Sequence, residues 1–171
     1  MPHSPPYHRQ QRPESDHKVH GFFGQYNVNL DPKGRISLPA RIRPRADDDV
    51  FAPLVLTRGF ESCLALYPEE EWSSLHGHLD ELPSTNRDFR LFSRIMYSAA
   101  VIVTPDSQGR FLIPSYLLEF AHLKRQALVL GANRWIEIWN PEKFNHSLDQ
   151  PGGSFEDVAE RISKRGGPGR N

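Results

Sequence analysis

Residues 31–39 read Asp-Pro-Lys-Gly-Arg-Ile-Ser-Leu-Pro, and residues 106–114 read Asp-Ser-Gln-Gly-Arg-Phe-Leu-Ile-Pro. The stretch recurs 75 residues later with Asp, Gly, Arg and Pro at identical positions and apolar residues at its sixth and eighth positions. Two apolar segments that follow it keep their order, with 54–56 aligned to 128–130 and 66–68 aligned to 139–141. Because the matches extend in order over roughly 45 residues, we interpret the chain as an internal duplication.

The repeated stretch is predicted to be a turn between two strands. Residues 26–30 alternate apolar with polar side chains, the pattern of a half-buried strand. Asp, Pro and Gly at the first, second and fourth positions of residues 31–34 favour a type I turn, and Gly34 suits the left-handed position of a hairpin loop. Residues 35–38 form the return strand, in which Arg35 faces away from Ile36. The second copy predicts the same hairpin around Gly109.

The remaining periodicity predicts helices and closing hairpins. A short helix begins at Pro39, and its counterpart covers residues 114–121. Each copy ends in a closing hairpin, formed by residues 54–57 with 63–67 and by residues 127–130 with 135–139. Two amphipathic helices join the copies, one opening at 68–72 and the other spanning 86–98. We therefore expect an α+β fold, mostly β, with connecting helices.

These elements divide the chain into five segments. We expect a disordered tail (1–20), a first repeat (21–72), a helical connector (73–98), a second repeat (99–145) and a C-terminal tail with a short helix (146–171). The first segment is polar and rich in proline, without periodicity. The large apolar side chains exceed what so small a fold needs, and we expect some of them to pack between chains: Phe120, Trp135, Trp139 and Phe144.

Composition limits the classes of protein that the chain can represent. Lys plus Arg and Asp plus Glu both number 21, which argues against indiscriminate coating of nucleic acid but leaves room for a local basic surface. No apolar run approaches the ~20 residues that span a bilayer, and the polar N-terminus does not resemble a signal peptide. We therefore expect a cytoplasmic protein without a membrane partner.

Catalytic and metal-binding motifs are not found in the sequence. It has no phosphate loop or nucleophile elbow, and His76 and His78 are two residues apart on a predicted helix and so diverge. The histidines at 3, 8, 17 and 20 are irregularly spaced, and residues 47–49 lack the Gly and Glu of a calcium loop. Cys63 is the only cysteine and is expected on a buried strand. We predict that the chain is not an enzyme and has no metal, cofactor or small-molecule substrate.

The two D-x-x-x-R hairpins, the helical connector and the closing segment Val-Leu-Gly-Ala-Asn-Arg-Trp-Ile-Glu-Ile-Trp (129–139) resemble the MraZ family. That family belongs to the AbrB/SpoVT group of swapped-hairpin DNA-binding proteins, and the resemblance covers residues 21–145. It implies a duplicated swapped-hairpin AbrB-like barrel in one chain. It also implies a cytoplasmic, nucleoid-associated transcriptional regulator, with double-stranded DNA as its partner.

In function, the resemblance implies a ring-shaped homo-oligomer that binds repeated promoter boxes of the division and cell-wall gene cluster, including the chain's own promoter, with repression as the expected outcome. The alternative is a structural oligomer or an AbrB-type antidote to a toxin. An antidote usually carries a disordered partner-binding tail, whereas only about 25 residues follow the second copy here.

The resemblance carries DNA contact to Lys33, Arg35 and Arg110, while Gln108 stands where the second copy would have the basic loop residue. Elementary chemistry agrees, because a rigidly held Arg can bind guanine O6 and N7, and a loop Lys suits phosphate. The turn residues are expected to orient the arginines: Asp31, Gly34, Asp106 and Gly109. Around them the segment 31–45 is basic, with one acid against Lys33, Arg35, Arg41, Arg43 and Arg45.

Overall fold

The computed structural model describes residues 21–43, 51–80, 83–149 and 153–165. Expectations for the N-terminal tail, residues 47–49 and Arg45 therefore lie outside the described residues. The eight strands in these ranges are β1 (Gln25–Asn29), β2 (Arg35–Ser37), β3 (Leu54–Arg58), β4 (Leu64–Pro68), β5 (Val101–Val103), β6 (Arg110–Leu112), β7 (Gln126–Gly131) and β8 (Ile136–Trp139). The helices are α1 (Glu69–Asp80), α2 (Arg87–Ala99), α3 (Ser115–Phe120), α4 (Pro141–Leu148) and α5 (Phe155–Arg165).

The strands form two antiparallel sheets. Six of them make one sheet in the order β1-β7-β8-β4-β3-β5, and β2 pairs with β6 in a separate two-stranded ribbon. The fold is thus α+β and mostly sheet, as the periodicity predicts. Where a helix was expected after Pro39, a single 3-10 turn forms over Ala40–Ile42. None of the described helices combines the length and apolar character needed to span a membrane.

Strand pairing links the two copies throughout. β1 of the first copy pairs with β7 of the second, and β5 of the second pairs with β3 of the first. The expected local hairpins are therefore wrong, because the strand before each turn and the strand after it belong to different sheets. The turn itself needs only short-range hydrogen bonds, whereas a strand's partner is decided by where its apolar face can be buried.

The closing hairpins of the two copies, β3–β4 and β7–β8, are equivalent in the structure. Their residues correspond in a different register from the one that the sequence comparison gives. Val28 pairs with Ala127, and Val103, its counterpart 75 residues later, pairs with Leu54. Leu54 therefore corresponds to Ala127, not Leu128. Leu128 instead belongs to the opposite face of the sheet, with Cys63 and Trp139. The sequence alignment was one residue out, because both faces of these strands are apolar and alternation does not distinguish them.

One core lies between the ribbon and the inner face of the six-stranded sheet. The ribbon contributes Ile36 and Phe111, and both are at most 5% exposed. Fully buried residues of both copies complete this cluster: Leu38, Leu54, Leu56, Leu64, Leu66, Ile113, Leu117, Ile136 and Ile138. Each such side chain contributes roughly 1.5–3 kcal/mol by burial. Neither copy holds this core alone.

The outer face of the sheet carries the aromatic residues. Trp139 is 4% exposed and meets Phe144 edge-on, with 5.5 Å between ring centroids. Glu137 lies between the two strand tryptophans and accepts both indole N–H groups, from Trp135 at 3.0 Å and Trp139 at 2.8 Å. Trp139 and Phe144 therefore pack against each other within the chain. Cys63 is buried on this same face beside Trp139, and its burial raises the pKa of the thiol.

Because both sheets and the core combine strands from the two copies, a chain divided between α1 and α2 should fold only when both parts are present. We expect residues 1–82 expressed alone to show no cooperative thermal transition. Co-expressed with residues 83–171, they should co-purify as a complex that melts cooperatively. Circular dichroism melts of the separate and co-expressed parts test this. A cooperative melt of residues 1–82 alone would show that the first copy is autonomous.

Candidate nucleic-acid interface

The first turn is organised around one carboxylate. Asp31 Oδ1 accepts the backbone N–H groups of Lys33 at 2.9 Å and Arg35 at 2.8 Å, and Oδ2 accepts the Arg35 Nε–H at 2.6 Å. The backbone closes the same loop, since Gly34 N–H donates to the Asp31 carbonyl at 2.9 Å. Gly34 has φ +81°, the left-handed conformation that glycine adopts without steric cost. Asp31 thus holds the turn and aligns the guanidinium.

The second turn repeats this geometry. Asp106 accepts the backbone N–H groups of Gln108 and Arg110, both at 2.9 Å, and the Arg110 Nε–H at 2.9 Å. Gly109 has φ +77°. A Cβ at this glycine would lie 2.5 Å from Arg43 Nε, so a side chain here would also displace the Arg43 guanidinium. Each aspartate thus contacts the arginine four residues later, and the orienting role of these aspartates and of Gly34 and Gly109 stays a prediction.

These contacts favour the ionised form of each carboxyl group. Hydrogen bonds from the Arg35 backbone N–H and side chain lower the pKa of Asp31, and the corresponding backbone bond from Arg110 is the main cause of a lowered pKa at Asp106. Each carboxylate remains paired with its arginine at neutral pH. Both turns are therefore rigid, charge-assisted units under ordinary conditions.

The two turns are bonded to each other across the ribbon. Leu38 N–H donates to the Gly109 carbonyl at 2.9 Å, and Ile113 N–H donates to the Gly34 carbonyl at 3.0 Å. The Ser37 hydroxyl adds a bond to the Gln108 carbonyl at 3.0 Å. The first two bonds are equivalent in the two copies, so the turns are related by an approximate twofold axis through the ribbon.

The outer face of the ribbon presents both arginines. Ile36 pairs with Phe111 on the buried face, so Arg35 opposite Leu112 and Ser37 opposite Arg110 lie on the outer face. Arg35 and Arg110 are diagonal neighbours across the ribbon, a relation that typically separates two residues by roughly 7–8 Å and leaves long side chains within reach of each other. Both side chains are 46% exposed. Within the described residues, only the Nε–H of each is engaged in a hydrogen bond, which leaves the terminal amino groups on the exposed face.

The remaining predicted residues have different environments. Lys33 is exposed on its turn, as the sequence suggested, and so is Gln108. Arg43 lies beside the ribbon, where its Nε–H donates to the Leu38 carbonyl at 2.6 Å and its guanidinium carbon lies 5.7 Å from the Phe51 ring centroid. It supports the ribbon from beside Gly109.

Two basic residues next to the first turn were not predicted. Lys124 and Arg125 precede β7 and line a groove of about 630 Å³ together with Asp31 and Gly34. The Arg125 carbonyl anchors the segment by accepting the Leu30 N–H at 2.9 Å. The adjacent Lys-Arg pair is visible in the sequence, but only the pairing of β1 with β7 brings it to the first copy's turn. In the described part of the chain, no cluster of metal-ligating side chains forms.

Comparison with known proteins agrees with this architecture. The family model described as "MraZ protein, putative antitoxin-like" matches residues 22–95 and again residues 96–166. The chain belongs to the MraZ family. The resemblance read from the D-x-x-x-R hairpins is thereby confirmed, as is the duplication, since the model matches twice.

Curated MraZ relatives cover most of the chain. A protein of Pelotomaculum thermopropionicum is 40% identical over 82% of this chain and 94% of its own length. Proteins of Heliobacterium modesticaldum and Alkaliphilus metalliredigens are 38% and 37% identical, over 82% and 85% of this chain and 96% and 99% of their own lengths. All three bear the name "Transcriptional regulator MraZ", which is not the name of an enzyme and agrees with the prediction of a non-enzyme.

The lowered pKa values predict a specific response to acid. Ionised Asp31 and Asp106 stabilise the fold at pH values above the ordinary carboxyl pKa of 3.8. That contribution should be lost as the pH falls through the lower folded pKa, so stability rises with pH in this range and then levels off. Asp31→Asn with Asp106→Asn should flatten the acid limb. Urea unfolding at intervals from about pH 2 to 6 measures it. An identical acid limb in wild type and double variant would contradict the assignment.

Proposed function

We propose that this MraZ-family chain is a sequence-specific DNA-binding regulator of transcription that reads bases with the outer face of the β2–β6 ribbon. The observation that carries the proposal is the pair of arginines on that face, each held by its own aspartate. The major groove of B-DNA admits a two-stranded antiparallel ribbon. A guanidinium whose Nε is fixed still offers two terminal amino groups to guanine O6 and N7.

The basic residues around the ribbon suit contacts with the phosphate backbone of DNA, whereas the ribbon arginines suit contacts with bases. Lys33 is an exposed point charge at the end of a turn, which suits a phosphate oxygen better than a base edge. Lys124 and Arg125 extend the basic surface beside the same turn and would meet phosphates of the flanking backbone. The second turn has Gln108 in place of Lys33, so its end of the ribbon would bind the backbone with less charge.

We base the proposed genomic target on family membership. The curated relatives are named transcriptional regulators, and on that basis we assign the same role to this chain. We propose repeated promoter boxes of the division and cell-wall gene cluster as its operators, with its own promoter among them and repression as the outcome. The proposed location is the cytoplasm, on the nucleoid.

The proposed architecture is the swapped-hairpin arrangement of the AbrB group, contained within one chain. The exchange of β1 and β5 between copies supports it. We keep 21–72 and 99–145 as the bounds of the two repeats, joined by the connector. We also propose a ring-shaped homo-oligomer, because several protomers on repeated boxes gain affinity from being linked.

An antidote or purely structural oligomer is the second candidate, favoured by the "antitoxin-like" wording of the family description. Titration of the chain against its own upstream DNA and against a scrambled duplex of equal composition distinguishes the candidates. A regulator should prefer the upstream DNA by at least about 10³-fold. Equal affinity for the two duplexes would favour the second candidate.

Removing the ribbon arginines should lower specificity. Arg35→Ala or Arg110→Ala should weaken operator binding by roughly 1–3 kcal/mol per lost base contact while changing random-duplex binding far less. Arg134→Ala is the matched control, because Arg134 is also an exposed arginine in an ion pair, with Glu71 at 2.7 Å, but lies beyond the opposite end of β7 from Arg125. Fluorescence anisotropy with both duplexes gives the ratio. An unchanged ratio in both ribbon variants would refute base reading.

Removing the flanking lysines should weaken binding without changing specificity. Lys33→Ala and Lys124→Ala should each lower operator and random-duplex affinity by similar factors and reduce the slope of log affinity against log salt by about one. Arg134→Ala again serves as the control, because it removes an exposed cation beyond the opposite end of β7 from Lys124 and Arg125. Affinities at several salt concentrations give the slopes. Selective loss of operator binding would instead assign these residues to base readout.

A further inference from the structure

A second groove continues the basic surface of the first turn toward the start of α4. Its volume is about 760 Å³, and it shares Asn29, Lys124 and Arg125 with the smaller groove beside that turn. Pockets for small molecules are lined mainly by apolar and aromatic side chains. Here Pro141 is the one apolar residue that the described part of the chain contributes, and the other lining residues are polar or charged: His122, Gln126, Asn140, Glu142 and Lys143. The groove therefore suits a charged ligand.

The lining of this α4 groove carries an excess of positive charge. Lys124, Arg125 and Lys143 are exposed, and Glu142 is the one acid among the described lining residues. None of the three cations forms an ion pair within the described ranges. Three cations against one carboxylate favour an anionic ligand.

Two acids next to the α4 groove leave this balance unchanged. Asp31 lines the smaller groove, but its carboxylate is already paired with Arg35 at 2.6 Å. Glu119 contacts the loop through its carbonyl, which accepts the His122 N–H at 3.2 Å, and its side chain lines neither groove. The positive charge is therefore available to a ligand from outside.

One amide side chain joins the two walls of the α4 groove. Asn140 Oδ1 accepts the backbone N–H groups of Glu142 and Lys143 at 2.9 and 3.1 Å, where α4 begins. Its Nδ2 donates to the His122 carbonyl at 2.9 Å, in the loop between α3 and β7. His122 has φ +53°, a left-handed conformation that a non-glycine residue adopts at a cost. The backbone segments that carry Lys124 and Lys143 are thus held in a fixed relation.

The equivalent surface of the first copy has a different character. Because Leu54 corresponds to Ala127, α1 after β4 corresponds to α4 after β8. The first turn of α1 has three glutamates, whereas that of α4 has one acid, Glu142, followed by Lys143. The groove beside α1 borders β5, the strand that leads to the second turn, and is lined by Glu69 and mostly apolar residues. The two ends of the ribbon therefore differ beyond their turns as well.

We propose that the α4 groove binds the phosphate backbone of DNA outside the box that the ribbon reads, on the side of the first turn only. The inference rests on the DNA binding proposed above and extends it to Lys143 and His122. A DNA strand is a continuous row of negative charges, so it can follow a basic path from Lys33 past Lys124 to Lys143. The His122 imidazole can donate a hydrogen bond to a phosphate oxygen.

A contact of this kind affects the orientation of the complex. Backbone contacts carry no base information, but they fix how a protein lies on the duplex. With a basic groove at one end of the ribbon and Glu69 in the groove at the other, each protomer should cover more DNA on one side of its box than on the other.

Protection of the DNA backbone tests the position of the α4 groove. The full chain, bound to a duplex from its own upstream DNA with one box and flanks of equal length, should protect the box and a stretch beyond one side of it from hydroxyl radicals. Lys143→Ala should lose the protection beyond the box and keep that within it. Arg134→Ala is the matched control, because it removes an exposed cation beyond the opposite end of β7, and its footprint should equal that of wild type.

Salt dependence tests the charge of the same contact. On this duplex Lys143→Ala should lower the slope of log affinity against log salt by about one, while the preference over a scrambled duplex stays unchanged. Glu142→Gln removes the acid of the lining and should raise the affinity. When the protected flank is trimmed from the duplex, wild type and both variants should bind equally. The substituted side chains are exposed, so circular dichroism melts should match wild type.

The outcomes separate this contact from base reading. A footprint and salt slope of Lys143→Ala equal to those of wild type, with operator preference present in both, would overturn the groove contact and leave the role of the ribbon intact. Loss of operator preference in Lys143→Ala would also overturn it, because the residue would then act in base readout. A wild type without operator preference would overturn the proposed function and the groove contact together.

Discussion

Two backbone hydrogen bonds, from Leu38 to Gly109 and from Ile113 to Gly34, join the turns of the two copies, and most of the molecule depends on this junction. The junction sets the register of the ribbon. In this register Ile36 and Phe111 are paired, and both side chains cover the core. It also determines where the two arginines lie, because each follows its turn glycine directly. Stability and the proposed binding surface therefore share one origin, and a change that separates the turns would damage both.

The two turn aspartates connect this junction to the proposed DNA contact, because they hold the ribbon arginines. Each carboxylate accepts backbone N–H groups of its turn through one oxygen and the Nε–H of an arginine through the other. The same side chain therefore closes the turn and fixes the direction of the guanidinium. Pre-alignment reduces the entropy that the arginine would lose on binding. The approximate twofold symmetry is incomplete, because the first turn carries Lys33 and borders the groove lined by Lys124 and Arg125, whereas the second turn has Gln108 at the equivalent position. A ribbon with unequal ends can bind an asymmetric site in a defined direction.

Local and long-range features of the fold differed in how well they could be predicted. The turns, the left-handed glycines and the aspartate–arginine pairs follow from interactions within five residues, and the sequence predicted them correctly. The sequence did not predict which strands pair with β1 and β2, because alternation of apolar and polar residues identifies a buried face but not the strand that covers it. The sequence comparison aligned the two closing hairpins one residue out of register. The reason is that both faces of β7 and β8 are buried, one against the ribbon and one against α4 and the aromatic residues. Lys124 and Arg125 were missed because only the pairing of β7 with β1 brings them to the first turn.

The sequence by itself determined that the chain is duplicated, which family it belongs to, and which side chains each turn holds, because these depend on residue identity and short spacing. Only the tertiary structure decided that the two turns bond to each other, that both arginines share one exposed face, and that Arg43 bonds to the Leu38 carbonyl beside the ribbon. The physical reason is that burial of apolar faces, which is non-directional, selects the long-range partners. Those partners then place residues that lie some 75 positions apart in the chain on a single surface.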